Sequence, residues 1–150
     1  MSEKLSEEEV RSLYSILRKI DFLSTITVED VDVVIESFEK LTLGAGKTVI
    51  KQGVSGKGLY IIKTGSCRVV KEKGWFKKED LAVIGAGNFF GEMSLIYDNP
   101  VSATVETLEP SEIYFYAKDD FVKLALKNDR LKAQLKKIAD KRTSENILGK

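Results

Sequence analysis

Residues 89–105 read FFGEMSLIYDNPVSATV, and this stretch decides the fold prediction. Gly91 permits a tight turn, and the apolar segment after it has the length of one helical turn. Pro100 ends that turn because proline has no N–H to donate. The β-branched residues that follow are typical of a strand. Backbone N–H groups at the start of a short helix have no intrahelical acceptor, so a loop of this kind can hold an anion.

Short strand-like runs lie on both sides of this stretch. Ten of the eleven glycines fall between Gly44 and Gly91, and they separate runs rich in β-branched and aromatic residues: KTVI, LYIIK, CRVVK, LAVIG, SATVETL and IYFYA. Such spacing predicts a mainly β fold with flanking helices, built as a small antiparallel β-barrel or double-stranded jelly roll of about eight strands. Because LYIIK is almost wholly apolar, we expect this strand to be covered on both faces.

Helical patterns flank the strands. Ser6 and Glu9 have the spacing of a capping box ahead of an apolar stripe. Thr27 is a candidate cap for a second helix and Asp119 for a third. A further helix is expected from about Arg130. Its docking face would comprise Leu131, Leu135 and Ile138.

The length of 150 residues predicts a single domain over residues 1–150. We expect N-terminal helices at about 6–38, the barrel at about 39–117 and C-terminal helices at about 119–146, with a frayed polar end. No helix-turn-helix pattern follows the barrel, so direct transcriptional control is not expected.

Composition excludes several function classes. Charged residues make up 31% of the chain and nearly cancel at +1, which argues against nucleic-acid binding. No apolar run approaches the ~20 residues that span a bilayer. The chain has no histidine and one cysteine, so the commonest nucleophile pairs and metal ligand are missing. We therefore expect no enzyme, no metal and no cofactor, and a cytoplasmic location.

The quoted stretch resembles the phosphate-binding cassette of the cyclic nucleotide-binding domain family, the sensor of the catabolite activator protein and of protein kinase A regulatory subunits. The family cassette has the form FGE-x-ALL-xxx-PR-(A/S)-ATV, and residues 90–105 read FGEMSLIYDNPVSATV. The order of helices, glycine-punctuated strands and closing helices is similar to the family over nearly the whole chain. We name residues 89–105 the cassette.

The resemblance implies a ligand site in the cassette. Glu92 would hold a ribose 2′-hydroxyl, and Ser102 can donate its hydroxyl to a phosphate oxygen. The family's phosphate-binding arginine falls at position 101, where this chain has Val101. Because a charge-assisted hydrogen bond contributes about 1.5–3 kcal/mol, this departure predicts roughly tenfold to hundredfold weaker binding. The implied ligand-binding residues are Phe90, Gly91, Glu92, Met93, Ser94, Val101, Ser102, Ala103 and Thr104.

Other features have a structural alternative to a functional role. Glu92 can instead be a helix-start carboxylate without a ligand. Arg68 is the nearest candidate by residue type to replace the missing arginine. We expect it instead to be a solvated residue on a strand. In KEKGWFKKED, residues 71–80, Trp75 and Phe76 could contact a partner or a membrane surface; we expect the rings to fold back onto the barrel or a terminal helix. Cys67 is expected in the core.

Two functions remain open from sequence. The first is a stand-alone regulatory module that senses a cyclic nucleotide, cAMP or cGMP, or a related small anion, and signals through its C-terminal helix to a protein partner or homodimer. The alternative is a ligand-independent interaction or dimerisation module with a degenerate pocket. In that case Leu108, Tyr114 or a residue of the terminal helix would fill the pocket.

Overall fold

The computed structural model describes residues 5–20, 23–24 and 26–137. Helices α1 (Glu7–Leu17) and α2 (Val28–Glu36) precede the strands, and α3 (Lys118–Leu126) follows them. A 3-10 helix, Glu92–Leu95, lies within the cassette, and residues 129–137 are helical. The eight strands are β1 (Glu39–Leu43), β2 (Thr48–Ile50), β3 (Gly58–Thr64), β4 (Ser66–Glu72), β5 (Lys78–Gly85), β6 (Phe89–Phe90), β7 (Thr104–Thr107) and β8 (Ser111–Ala117).

The predicted docking position Ile138, the helix end near residue 146 and the frayed terminus lie outside the described residues.

The strands form two four-stranded sheets with the orders β1-β8-β3-β6 and β2-β7-β4-β5. All the pairings between neighbouring strands are antiparallel. Within the described part of the chain no ladder joins one sheet to the other. The predicted mainly β fold with flanking helices is therefore confirmed, and its form is a two-sheet jelly roll, not a closed barrel. A core cluster lies between the sheets: Tyr60, Ile62, Cys67, Phe90, Val105 and Ile113.

Strand β3 is buried on both faces, as its apolar sequence predicts. Leu59 and Ile61 belong to the core cluster that includes residues of α1, α2 and α3, whereas Tyr60 and Ile62 face the second sheet. Side chains alternate across a strand, so one apolar run contributes to two cores. The neighbouring Cys67 is also buried, as expected, and burial raises the pKa of its thiol.

Two helix starts follow the predicted local chemistry. The Ser6 hydroxyl accepts a hydrogen bond from the N–H of Glu9 at 3.1 Å, and the Glu9 carboxylate accepts from the N–H of Ser6 at 3.0 Å. This reciprocal pair is the predicted capping box of α1. The hydroxyl of Thr27 caps α2 by accepting from the N–H of Asp30 at 3.2 Å.

The predicted cap of α3 is wrong. Helix α3 begins at Lys118, directly after β8, so Ala117 takes the cap position and Asp119 lies inside the first turn. The N–H of Lys118 donates to the backbone carbonyl of Lys57 at 2.9 Å. The strand runs into the helix without a loop, so the backbone of Lys57 satisfies this first N–H, and no side chain caps the helix.

Glu9 also fastens α1 to the first sheet. Its carboxylate accepts a hydrogen bond from the Tyr114 hydroxyl at 2.8 Å and forms ion pairs with Lys63 at 3.0 Å and Lys40 at 3.7 Å. The N–H of Ser6 makes the largest contribution to lowering the pKa of Glu9 to about 2; Tyr114 and Lys63 add to it, and partial burial opposes it. The ionised carboxylate is therefore a link between the helix and three strands.

The expectation that Trp75 and Phe76 fold back is wrong. Trp75 is 95% exposed and Phe76 is 99% exposed. The N–H of Lys73 donates to the carbonyl of Lys77 at 2.7 Å, so the three residues between them form the tip of the β4–β5 hairpin. The exposure of both rings shows that the tip extends into solvent instead of lying over the core.

Candidate ligand-binding site

A cavity of about 330 Å³ lies beside the cassette. Small-molecule sites usually have roughly 300–1,000 Å³, so the space suits a small ligand. The 3-10 helix and the segment leading into β7 form one wall, and residues of β2, β4 and β6 form the rest. The lining residues are Ile50, Val69, Phe90, Gly91, Glu92, Met93, Ser94, Tyr97, Asn99, Pro100, Val101, Ser102, Ala103 and Val105.

Gly91 fixes the approach of the cassette to β3. Its φ of +79° lies in the left-handed region, and a Cβ there would lie 2.6 Å from the carbonyl oxygen of Gly58. No side chain fits at that separation, and the backbone angle disfavours one as well. The predicted need for glycine at this turn has two independent causes, conformation and space.

The Ser94 hydroxyl holds the turn from inside. Its oxygen lies 2.9 Å from the carbonyl oxygen of Gly58 and 2.6 Å from that of Gly91. A Cβ at Gly56 would lie 2.4 Å from the Cβ of Ser94, so this side chain is also closely packed. Although Ser94 lines the cavity, its hydroxyl donates to the backbone, and its contribution is to position the 3-10 helix.

Val101 occupies a well-held backbone position on the cavity wall. Its N–H donates to the carbonyl of Val54, and its carbonyl accepts from the N–H of Gly53, both at 2.9 Å. The side chain also borders a second cavity, of about 270 Å³, on the side of the β2–β3 loop. The backbone at position 101 is thus fixed at both its N–H and its carbonyl, and the aliphatic side chain supplies no hydrogen-bond donor.

The charge of the cavity is negative. Among the described lining residues, Glu92 is the single charged one. Arg68 does not replace the missing cation, because it does not line the cavity and its guanidinium donates to the Glu106 carboxylate at 3.1 and 3.2 Å. A weaker ion pair joins it to Asp80 at 3.9 Å. Arg68 therefore lies on the opposite face of β4 from the cavity-lining Val69.

The structure brings together eight of the nine residues that the sequence predicts for the site. The exception is Thr104, which is buried outside the lining and whose hydroxyl accepts from the N–H of Gln52 at 3.0 Å. Six further residues line the cavity and were not among the predicted site residues: Ile50, Val69, Tyr97, Asn99, Pro100 and Val105. Tyr97 and Asn99 fall within the cassette and could have been found there, whereas Ile50 and Val69 come from separate strands.

The described residues among those proposed to fill a degenerate pocket lie elsewhere. Leu108 is 45% exposed and does not line the cavity. Tyr114 faces the helices, where its hydroxyl reaches Glu9. No residue of the helical segment 129–137 lines the cavity either. Within the described ranges of the chain, the cavity is open.

The cavity wall is connected to α3. Lys118 donates to the carbonyl of Tyr97 at 3.2 Å and pairs with the carboxylate of Asp98. Leu95 of the 3-10 helix and Phe121 of α3 are buried in the same core cluster. A third cavity, of about 430 Å³, is bordered by the end of the 3-10 helix, α3 and the segment after it.

The comparison with family models identifies the chain. Residues 40–128 match the model of the cyclic nucleotide-binding domain. The chain belongs to the cyclic nucleotide-binding domain family. The regulatory sensor domains of this family are the relatives that the cassette sequence predicts, and the match covers the jelly roll except for Glu39, the first residue of β1.

Relatives of this cyclic nucleotide-binding domain have several architectures. The chain is 30% identical over 144 residues to a cGMP-dependent protein kinase of Plasmodium berghei, covering 91% of the chain and 16% of the kinase. It is 30% identical over 96 residues to the cyclic AMP receptor protein of Thermus thermophilus, covering 64% of the chain and 44% of that protein. The chain spans less than half the length of these curated relatives.

Solved structures agree with the jelly roll. The regulatory domain of Toxoplasma gondii PKA, crystallised with cAMP, superposes with a TM-score of 0.72 at 26% identity, over 81% of this chain and 46% of that one. The catabolite activator protein of Thermus thermophilus superposes with a TM-score of 0.62 at 26% identity, over 85% of this chain and 60% of that one.

Metal coordination and membrane crossing each require features that would be visible in the described ranges of the domain. No group of three or more Cys, Asp or Glu side chains there is placed to hold a metal ion. None of the helices described there combines the length and the apolar character that crossing a bilayer requires.

Proposed function

We propose that this domain is a regulatory module that binds a cyclic nucleotide, cAMP or cGMP, or a related small anion, with low affinity. One observation carries the proposal: the cassette lines a cavity of about 330 Å³ that is open among the described residues. Glu92 lines this cavity, and Val101 stands where the family has its arginine. The family match supports the ligand class, and the missing cation supports the low affinity.

The cavity residues have distinct roles in this proposal. Glu92 accepts hydrogen bonds from the sugar hydroxyls, as a carboxylate can accept several at once. Ser102, which has no hydrogen-bond partner for its hydroxyl among the described residues, donates to the phosphate. Ile50 and Val69 give the sugar and base an apolar wall. Binding an anion near Glu92 without a neighbouring cation costs free energy, because like charges repel more strongly away from water.

Output passes through α3. A ligand that favours one position of the 3-10 helix also favours one position of α3, because Lys118 is bonded to Tyr97 and Asp98. Leu95 and Phe121 transmit the same shift through the core. We propose that a protein partner, or a second copy of the chain, recognises the C-terminal helical region in one of these positions. The cytoplasmic location stays a prediction.

Titration calorimetry combined with hydrogen–deuterium exchange tests this function. We expect cAMP or cGMP to bind more weakly than the low-micromolar range and, near saturation, to slow amide exchange in the cassette and in α3. Glu92→Gln keeps the shape but removes the carboxylate, and it should weaken binding by roughly tenfold. Low-micromolar binding by the wild type would show that the role given to Val101 is wrong.

A ligand-independent interaction or dimerisation module remains the second candidate, and Val101 is the observation that favours it. In that case neither nucleotide would change amide exchange at saturating concentration, and the Glu92→Gln domain would behave as the wild type does.

A further inference from the structure

We propose that the β4–β5 hairpin tip docks the domain onto the surface of an anionic lipid bilayer. The inference is independent of the ligand cavity. It rests on the two adjacent aromatic side chains at the tip, Trp75 and Phe76, which are 95% and 99% exposed. Large aromatic side chains are seldom left wholly in water, because they gain more from burial than other side chains do.

The hairpin holds these two side chains ready for insertion. The hydrogen bond from the N–H of Lys73 to the carbonyl of Lys77 closes a three-residue loop, and Gly74 takes a positive φ of 78° within it. Further back, the side chain of Gln52 makes two hydrogen bonds with the backbone of Glu72, at 2.7 and 3.1 Å. A fixed loop loses little conformational entropy when it binds.

The charges around the tip select the kind of surface. Lys73 forms an ion pair with Glu79 at 2.5 Å, and Asp80 is paired with Arg68. Lys77 and Lys78 directly follow the aromatic pair and form no ion pair with any described residue. Two of the three acidic groups of the hairpin, Glu79 and Asp80, are thus paired, and the third, Glu72, lies opposite Lys78 in the strand register. The four lysines of residues 71–80 outnumber these three acidic groups, so net positive charge remains next to the aromatic side chains.

This pattern fits a lipid headgroup layer better than a protein groove. Trp is enriched at the membrane–water interface, and lysines beside an inserted aromatic residue can contact anionic headgroups. A protruding tip can enter a headgroup layer without a complementary pocket. The whole chain has a net charge of only +1, so the attraction to anionic lipid comes from the lysines at the tip.

Trp75 is the only tryptophan in the chain, so its fluorescence reports on the tip alone. The full chain is titrated with vesicles of phosphatidylcholine, and with vesicles of equal parts phosphatidylcholine and phosphatidylglycerol. We expect a blue shift and co-sedimentation with the anionic vesicles only. Lys77→Gln with Lys78→Gln should weaken that binding about 30-fold, and added salt should weaken it further. Phe76→Ser should weaken it as well.

The matched control is Lys51→Gln with Lys57→Gln, two exposed lysines of the β2–β3 loop, which should bind vesicles as the wild type does. The proposal is overturned if anionic vesicles give no blue shift, or if both double variants lose binding equally. It is also overturned if the fluorescence shifts with protein concentration in the absence of lipid, because a second copy of the chain would then cover the tip.

Discussion

Lys118, the first residue of α3, donates a hydrogen bond from its Nζ to the backbone carbonyl oxygen of Tyr97 across 3.2 Å. Tyr97 lines the ligand cavity, and Asp98 beside it supplies the ion-pair partner of the same ammonium group. The side chain of Lys118 therefore bridges the cavity wall and the helix, and it can be removed without altering the backbone of either element.

Lys118→Met should loosen α3 from the cavity wall. Methionine keeps the length of the side chain and loses its donor, so we expect faster amide exchange in α3 and a stability loss of about 1 kcal/mol. In hydrogen–deuterium exchange the change should be confined to α3 and the loop after the 3-10 helix. Lys123→Met, at an exposed position of the same helix, is the control. Equal amide exchange in α3 of the Lys118→Met and Lys123→Met variants would contradict the link between the cavity wall and α3.

Gly91→Ala should destabilise the domain more than Gly87→Ala. Both glycines have a positive φ, but a Cβ at position 91 would meet the carbonyl of Gly58 at 2.6 Å, whereas one at position 87 meets nothing within 4 Å. Conformational strain alone costs about 1 kcal/mol, and the steric clash should bring the Gly91 variant to about 2 kcal/mol or more. Urea unfolding measures both. Similar losses would mean that the cassette can move away from β3.

Glu9→Gln should reduce stability at neutral pH by about 1–2 kcal/mol, because glutamine keeps an acceptor but loses the charge that faces Lys63 and Lys40. The pKa of Glu9 is lowered from 4.5 to about 2, so its stabilisation is present above pH 4.5 and is lost as the pH falls toward 2.

The difference in unfolding free energy between wild type and Glu9→Gln should therefore shrink over this acid range. Glu8→Gln, an exposed change on the same helix, is the control substitution. A constant difference between the wild type and Glu9→Gln down to pH 2 would show that the charge of Glu9 does not stabilise the fold.

Local features of the fold could be predicted because their causes lie within a few residues. The capping box of Ser6 and Glu9 needs only its own turn. The double burial of β3 follows from a run of apolar residues without alternation. Eight of the nine candidate site residues line one cavity because the cassette is one continuous stretch that carries a family pattern, and their role in binding a ligand stays a prediction.

Features that depend on distant partners could not be predicted. Ile50 and Val69 line the cavity through the pairing of separate strands, and a sequence does not display strand register. Asp119 was expected to cap α3, but Lys57, on a loop 60 residues earlier in the chain, satisfies the first N–H. Tryptophan is usually buried, but this tendency does not show whether any part of the protein lies close enough to the hairpin tip to cover Trp75.

The most direct test of the central claim is a calorimetric titration of Val101→Arg with cAMP. The backbone of position 101 is held by Gly53 and Val54, so the new guanidinium should reach the cavity and raise the affinity by roughly tenfold to hundredfold over the wild type. Val101→Met, long but uncharged, should give no gain. If the arginine variant is folded and binds no better than the methionine variant, the cavity is not a nucleotide site that lacks only its cation.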